Sequence, residues 1–209
     1  MIKLLLADNQ PAVHYGINAF LQNSASTYLI ESVSSYNAVL NCLKTKNINV
    51  LLIDLELNGL SDIKLLKAIK NDFQNVKIIV YTNLSEDLYA INLIKSGASA
   101  FVHKTQSLPF LANVIEKVAL TEVDLNRTSP QKAKLNGQKE KTDKSFRKLS
   151  NRELEVLRYL ADGKKNKEIA AILKLDEKTV STYKLRLLAK LHVTNLIDLV
   201  NKSKMLNVV

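Results

Sequence analysis

Two rhythms of apolar and polar positions alternate along the first part of the chain. Short, predominantly apolar runs (KLLLA, YLIESV, NVLLI, VKIIVYT and AFVHK) are separated by longer stretches in which apolar residues recur every three or four positions. Runs that are apolar on both sides suit strands buried on two faces, and the three-to-four spacing suits helices with one packed side. The pattern predicts helices from Pro11 to Gln22, near Tyr36 to Lys46, near Ser61 to Asn71, from about Ser85 to Ser96, and from Leu108 to Leu120. Five βα units in succession imply a parallel sheet, covered on both faces and joined by right-handed crossovers. After residue 120 the rhythm stops. Residues 121–147 hold few apolar positions and no sustained period, so they are expected to form a flexible linker.

From Leu149 onward only helical spacing remains. Ser150 and Glu153 can satisfy each other's backbone N–H groups as a capping box, Leu154, Leu157, Leu160 and Ala161 follow at helical intervals, and Gly163 can leave in a left-handed turn. Asn166 is expected to cap a short second helix that turns Ile169, Ala170 and Leu173 inward. Leu175 and Asp176 make a tight connection, with Asp176 as the next cap. In the third helix Val180, Tyr183, Leu187 and Leu191 fall on one side, and Lys178, Ser181, Thr182, Leu185 and Arg186 on the other. A last helix is expected from Thr194 to about Lys204. Two short helices joined by a turn, the second with a polar and basic face, have the geometry that enters a DNA major groove.

Composition sharpens this picture at a few points. A chain of 209 residues has room for two domains, expected here at 1–120 and 148–209 around the linker. The longest apolar runs, such as VLLI at 50–53, fall far short of the ~18 residues that span a bilayer, and MIKLLLAD meets an acid too soon for a signal peptide. The expectation is a cytoplasmic protein without a membrane partner. Cys42 is the single cysteine, placed at helical spacing with Val39 and Leu43 as a core residue. His14, His103 and His192 lack metal-ligand spacing and receive no role. The net charge of +10 is uneven: ten basic and nine acidic residues over 1–120, six and four over 121–144, fourteen and seven over 145–209. The surplus of +7 therefore sits on the helical segment, as suits a domain that meets a polyanion.

The candidate chemistry lies at the strand ends. No glycine-rich phosphate loop follows the first strand, where Asp8-Asn9-Gln10-Pro11 stands, so a dinucleotide or P-loop site is not expected. Polar residues end the strands instead: Asp8 the first, Asp54 the third, Thr82 the fourth and Lys104 the fifth. If the order is the flavodoxin-like 2-1-3-4-5, Asp8 and Asp54 flank the point where strand order reverses. Converging carboxylates bind a hard cation such as Mg²⁺, a nearby ammonium and hydroxyl can hold phosphoryl oxygens, and an aspartate can then act as nucleophile.

These residues resemble the receiver domain of two-component response regulators over about the first 120 positions. LSNRELEVLRYLADG, NKEIAAIL, TVSTYKLRLLAKL and HV are similar to the signature blocks of the LuxR-type helix-turn-helix. The two together resemble NarL/FixJ response regulators. The resemblance implies that Asp54 accepts a phosphoryl group from a partner histidine kinase, with Mg²⁺ held by Asp8, Asp54, Asn9 and the Glu56 backbone carbonyl. It also implies that Thr82 and Lys104 bind the phosphoryl group and that Phe101 is the aromatic switch position, although plain core packing of Phe101 is an equal reading. In the effector it places Ser181, Thr182 and Leu185 toward base edges, Lys178, Arg186 and Lys190 toward phosphates, and Asn166 and Lys167 on the backbone at the start of the second helix. Leu185 can meet a thymine methyl but cannot pair with guanine, which predicts A·T-rich promoter half-sites. Leu196, Ile197 and Val200 either dimerise the effector, giving a homodimer on DNA, or close its core.

Several positions depart from the family pattern. Asn9 stands where a second acid is usual, which removes a charge from the cation site. Asn58 stands where proline is common and Asp62 where glycine is common; Tyr183 replaces a usual histidine and Asn195 a usual arginine. Two readings of the receiver follow: a kinase-driven switch, or an atypical receiver whose effector binds DNA independently of phosphorylation. A linker this short would let an inactive form mask the recognition helix and phosphorylation favour an open dimer. A haloacid-dehalogenase-like phosphatase is disfavoured, because that family's nucleophile loop needs a second aspartate where Asp54-Leu-Glu56 has glutamate. A protein-interaction module without DNA binding is disfavoured by the basic surplus.

Overall fold

The computed structural model describes residues 1–60, 62–120 and 149–205. The expected linker at 121–147 lies outside the described residues, and so does Ser61, the expected start of the third helix. The described residues form an α/β unit over 1–120 and a helical unit over 149–205.

The first unit contains five parallel strands, β1 (Ile2–Ala7), β2 (Thr27–Val33), β3 (Val50–Ile53), β4 (Lys77–Thr82) and β5 (Ala100–His103), in the order β2-β1-β3-β4-β5. Helices α1 (Pro11–Leu21), α2 (Tyr36–Thr45), α3 (Lys64–Asp72) and α4 (Glu86–Lys95) connect them, and α5 (Leu108–Leu120) follows β5. This is the order the sequence predicts, with boundaries one to three residues apart. Period-two alternation sends Leu4, Leu6, Val50, Leu52, Ile79, Tyr81 and Val102 to one face, where they pack with Ile17 and Leu21 of α1 and Leu111, Val114 and Ile115 of α5. Leu5, Leu51, Ile53, Ile78 and Val80 point the other way and are equally buried. With both faces covered, the strands can be as apolar as they are. Cys42 is buried as expected; its thiol donates to Glu31 Oε2 at 3.1 Å, and burial together with that carboxylate pushes it up to about 11.

The second unit has four helices, α6 (Asn151–Ala161), α7 (Asn166–Leu173), α8 (Glu177–Lys190) and α9 (Leu196–Met205). The capping box at α6 forms as read: Ser150 Oγ accepts from Glu153 N at 3.3 Å, and Glu153 Oε2 accepts from Ser150 N at 2.7 Å. Gly163 leaves α6 at φ 76°, the left-handed conformation that a residue without Cβ adopts freely. Three local expectations change. Asn166 is the first residue of α7 and not its cap; Lys165 is the cap, its N–H held by Glu168 Oε2 at 2.7 Å. Asp176 does cap α8 by position, but its side chain makes no capping hydrogen bond. The last helix begins two residues later than expected because Asn195 Oδ1 accepts from Asp198 N at 2.8 Å, and an asparagine in that position starts a helix.

Candidate functional site

Strand register brings the polar strand ends together. Ala7 pairs with Ile53, which sets Asp8 beside Asp54, and Thr82 pairs with His103, which sets Lys104 beside Thr82. Backbone bonds tighten both junctions: Asp54 N donates to Ala7 O and Lys104 N to Thr82 O, each at 2.9 Å. All three of Asp8, Asp54 and Thr82 are buried. Into this pocket the Lys104 side chain reaches from β5, its Nζ 2.6 Å from Asp54 Oδ2 and 2.8 Å from Asp8 Oδ2.

One ammonium between two carboxylates leaves the pocket with an excess negative charge. Burial pushes the Lys104 ammonium down, but the hydrogen bond to Asp54 and the contact with Asp8 outweigh it and hold the group above the usual lysine value. Asp8 Oδ1 is satisfied by Gln10 N at 2.8 Å, and Asp8 Oδ2 is buried against the Lys104 ammonium at 2.8 Å. Asp54 Oδ1 accepts from Glu56 N at 3.2 Å. Two buried carboxylates that share one ammonium, with negative charge to spare, suit a small divalent cation, which needs only one or two protein carboxylates and keeps its own waters. No group of three or more His, Cys, Asp or Glu residues that could hold a metal gathers among the described residues, and Asp8 and Asp54 are the acids whose carboxylates meet Lys104.

The remaining receiver positions are dispersed around this pocket. The Glu56 side chain is exposed, and its backbone carbonyl is taken by Asn9, whose Nδ2 donates to it at 2.6 Å. Asn9 Oδ1 accepts from Asn58 N at 3.1 Å. Phe101 is half-buried on β5, opposite Val80. Two histidines that spacing alone left without a role are tied into the same loops. His14 Nε2 bonds Asp8 O at 2.8 Å. His103 Nε2 bonds Asn83 O at 2.9 Å while its Nδ1 meets Thr105 Oγ1 at 2.7 Å, joining the loops that follow Thr82 and Lys104. The position of His103 directly before Lys104 was the one sequence signal of this, and metal-ligand spacing was the wrong test for it.

In the helical unit α8 packs on α6 and α7 through Val180 and Leu187, both fully buried. Lys178, Thr182, Leu185 and Arg186 are exposed on the opposite side, Leu185 to 67%. Ser181 is half-buried and accepts from Asn166 Nδ2 at 3.1 Å, which joins the start of α7 to the recognition side of α8; Lys167 beside it is exposed. Tyr183 is half-buried, with the Arg186 guanidinium 5.9 Å from its ring. Lys190 is engaged inside the domain, its Nζ 2.8 Å from Glu153 Oε2. On α9, Leu199 is fully buried and Ile197 is 73% exposed, with Leu196 and Val200 between these extremes. The core function expected of the α9 apolar residues is thus carried by Leu199, which the sequence reading did not single out.

A doubly wound sheet with a buried lysine–carboxylate pocket at its switch point, carried on one chain with a helix-turn-helix, defines the class of DNA-binding signal-response proteins. Comparison with known proteins makes this definite. Residues 4–116 match the response regulator receiver domain, and residues 147–203 match the bacterial regulatory proteins of the luxR family. The Fimbriae Z protein of Salmonella typhimurium is 30% identical over 96% of this chain and 95% of its own length. BvgA of Bordetella pertussis is 29% identical over 97% and 96%. Among solved structures, RcsB from Salmonella enterica serovar Typhimurium, bound to promoter rprA in the presence of phosphomimetic BeF3⁻, is 25% identical, covers 98% of both chains and gives a TM-score of 0.73. The chain belongs to the response regulators with a receiver domain and a LuxR-family DNA-binding domain, and is a transcriptional regulator of that family. No helix among the described residues is long and apolar enough to cross a membrane.

Proposed function

We propose that Asp54 accepts a phosphoryl group from a partner histidine kinase, and that this modification controls dimerisation and promoter binding by the effector. The observation that carries the reading is the Lys104 ammonium, buried between Asp54 at 2.6 Å and Asp8 at 2.8 Å. An Asp54 carboxylate oxygen attacks phosphorus, the P–N bond to the donor imidazole breaks, and the electron pair leaves with the imidazole. Lys104 and the Thr82 hydroxyl would hold the acquired phosphoryl oxygens. Asp8 and Asp54 would hold Mg²⁺, which when bound supplies the positive charge that screens the carboxylate from the incoming phosphoryl group.

On the effector, the exposed side of α8 is the reading surface: Ser181, Thr182 and Leu185 for base edges, Lys178 and Arg186 for phosphates, with Asn166 and Lys167 against the backbone. Lys190 joins this surface only by leaving Glu153. Ile197, flanked by Leu196 and Val200, is the dimer contact. We take 1–120 as the receiver and 148–209 as the effector, joined by 121–147. The relatives support this reading, since one solved RcsB structure holds two dimers bound to two parallel DNAs.

The test is incubation of the purified chain with a small-molecule phosphodonor and Mg²⁺, followed by intact mass. Gain of one phosphoryl group by the wild type and none by Asp54→Ala is the expected result. No gain across a wide Mg²⁺ range would leave the alternative, a receiver whose effector binds DNA without phosphorylation.

A further inference from the structure

We propose that Asn9 takes over the bridging role of the divalent cation: its amide ties the loop after β1 to the loop after β3, so that the loop around Asp54 is held without metal and cation binding has to break this tie. The inference rests on the phosphoacceptor reading above and deepens it.

The tie is specified at both ends. The Glu56 carbonyl can only accept and the Asn58 N–H can only donate, so the two contacts, Nδ2 to Glu56 O at 2.6 Å and Asn58 N to Oδ1 at 3.1 Å, fix which way the amide points. Asn58 is itself anchored, for its carbonyl accepts from Tyr36 N at 2.8 Å and it bridges to Ser35 at the start of α2. One side chain thus joins three segments around Asp54. An aspartate in this place, ionised and without a donor, could not bond the Glu56 carbonyl, and it would add charge to a pocket already in excess. Its carboxylate could still accept from Asn58 N, but the link to the Glu56 carbonyl would then need a cation. With asparagine one of that carbonyl's two acceptor positions is already engaged, so a metal that takes it has to displace the amide. In this arrangement Asn9 competes with the cation and is not one of its ligands.

The experiment measures thermal unfolding of the full chain in EDTA and in Mg²⁺, together with calorimetric Mg²⁺ titration, for wild type, Asn9→Ala and Asn9→Asp. In EDTA both variants should unfold about 2–6 °C below wild type, Asn9→Ala having lost both hydrogen bonds and Asn9→Asp the one that Nδ2 donates. In titration Asn9→Asp should bind Mg²⁺ at least about tenfold tighter than wild type and recover its unfolding temperature when the metal is added. Asn9→Ala, relieved of the competing amide, should bind Mg²⁺ no more weakly than wild type. Weaker binding by Asn9→Ala would make Asn9 a ligand and overturn the proposal. Unchanged unfolding of both variants in EDTA would overturn it as well. If the melting and binding pattern holds but the wild type takes up no phosphoryl group, the tie stands and the phosphoacceptor reading falls.

Discussion

At the scale of single residues, two side chains are exceptions to their type. Lys104 is a lysine buried to 6% of its side-chain area, tolerable only because two carboxylates face it. Its raised value keeps it an ammonium throughout the neutral range, and its contribution is lost only as pH rises through that raised value. Leu185 is the converse, a large apolar side chain standing in water among Lys178, Thr182 and Arg186. A leucine meeting a thymine methyl offers no hydrogen bond to guanine, whereas lysine can donate to guanine O6 and N7. Leu185→Lys is therefore expected to move the preferred half-site toward G·C at one position, read by selection of binding sites from a random pool. An unchanged selected motif would remove Leu185 from the groove.

At the scale of elements, α6 and α8 are fastened together by Glu153. This carboxylate caps α6 through Ser150 N and pairs with Lys190 near the end of α8, although it is almost fully buried. Burial pushes the glutamate up, but Lys190 and the Ser150 N–H and hydroxyl outweigh it and hold the carboxyl below the ordinary glutamate value. A depressed acid contributes stability that is fully present above its unfolded value, about 4.3, and lost as pH falls through the lowered folded value. The helical unit should accordingly weaken on acidification below about pH 4. Glu153→Gln should lose about 1–2 kcal/mol at neutral pH and flatten that acid dependence. Circular dichroism melts of both proteins at pH 3.5 and pH 7 are the check. The same pair ties Lys190 to α6 while leaving its side chain 41% exposed.

At the scale of the whole molecule, the charge is divided as the two activities require. The receiver segment is close to neutral and the effector segment carries +7, so attraction to DNA is built into one end of the chain. Dimerisation is expected to rest on Ile197, whose neighbour Leu199 holds the domain together. Ile197→Glu should leave the fold of the effector intact and weaken binding to a two-half-site promoter at least about tenfold, with little change on a single half-site. Mobility-shift titrations on the two DNAs distinguish the cases, and an equal loss on both would place Ile197 outside the dimer contact.

Much of this was legible in the amino-acid sequence. The alternation of apolar runs with helical spacing carried the five βα units. The spacing of Ser150 and Glu153 carried the start of α6, and the apolar side of α8 followed from its period, because these patterns depend on neighbours a few residues away. The strand-end positions of Asp8, Asp54, Thr82 and Lys104 were visible for the same reason. Contacts between residues far apart in the chain were decided only by the tertiary structure. Asn9 read as a weakened metal ligand, and its bonds to Glu56 and Asn58, 47 and 49 residues away, were set only by the sheet. The pairing of Lys190, read from the sequence as a phosphate contact, with Glu153 came from helix packing and leaves its side chain 41% exposed, and His103 had no role until β4 and β5 paired. Local periodicity reports which side of an element is buried; which polar group meets which depends on where the other elements come to rest, and no spacing along the chain encodes that.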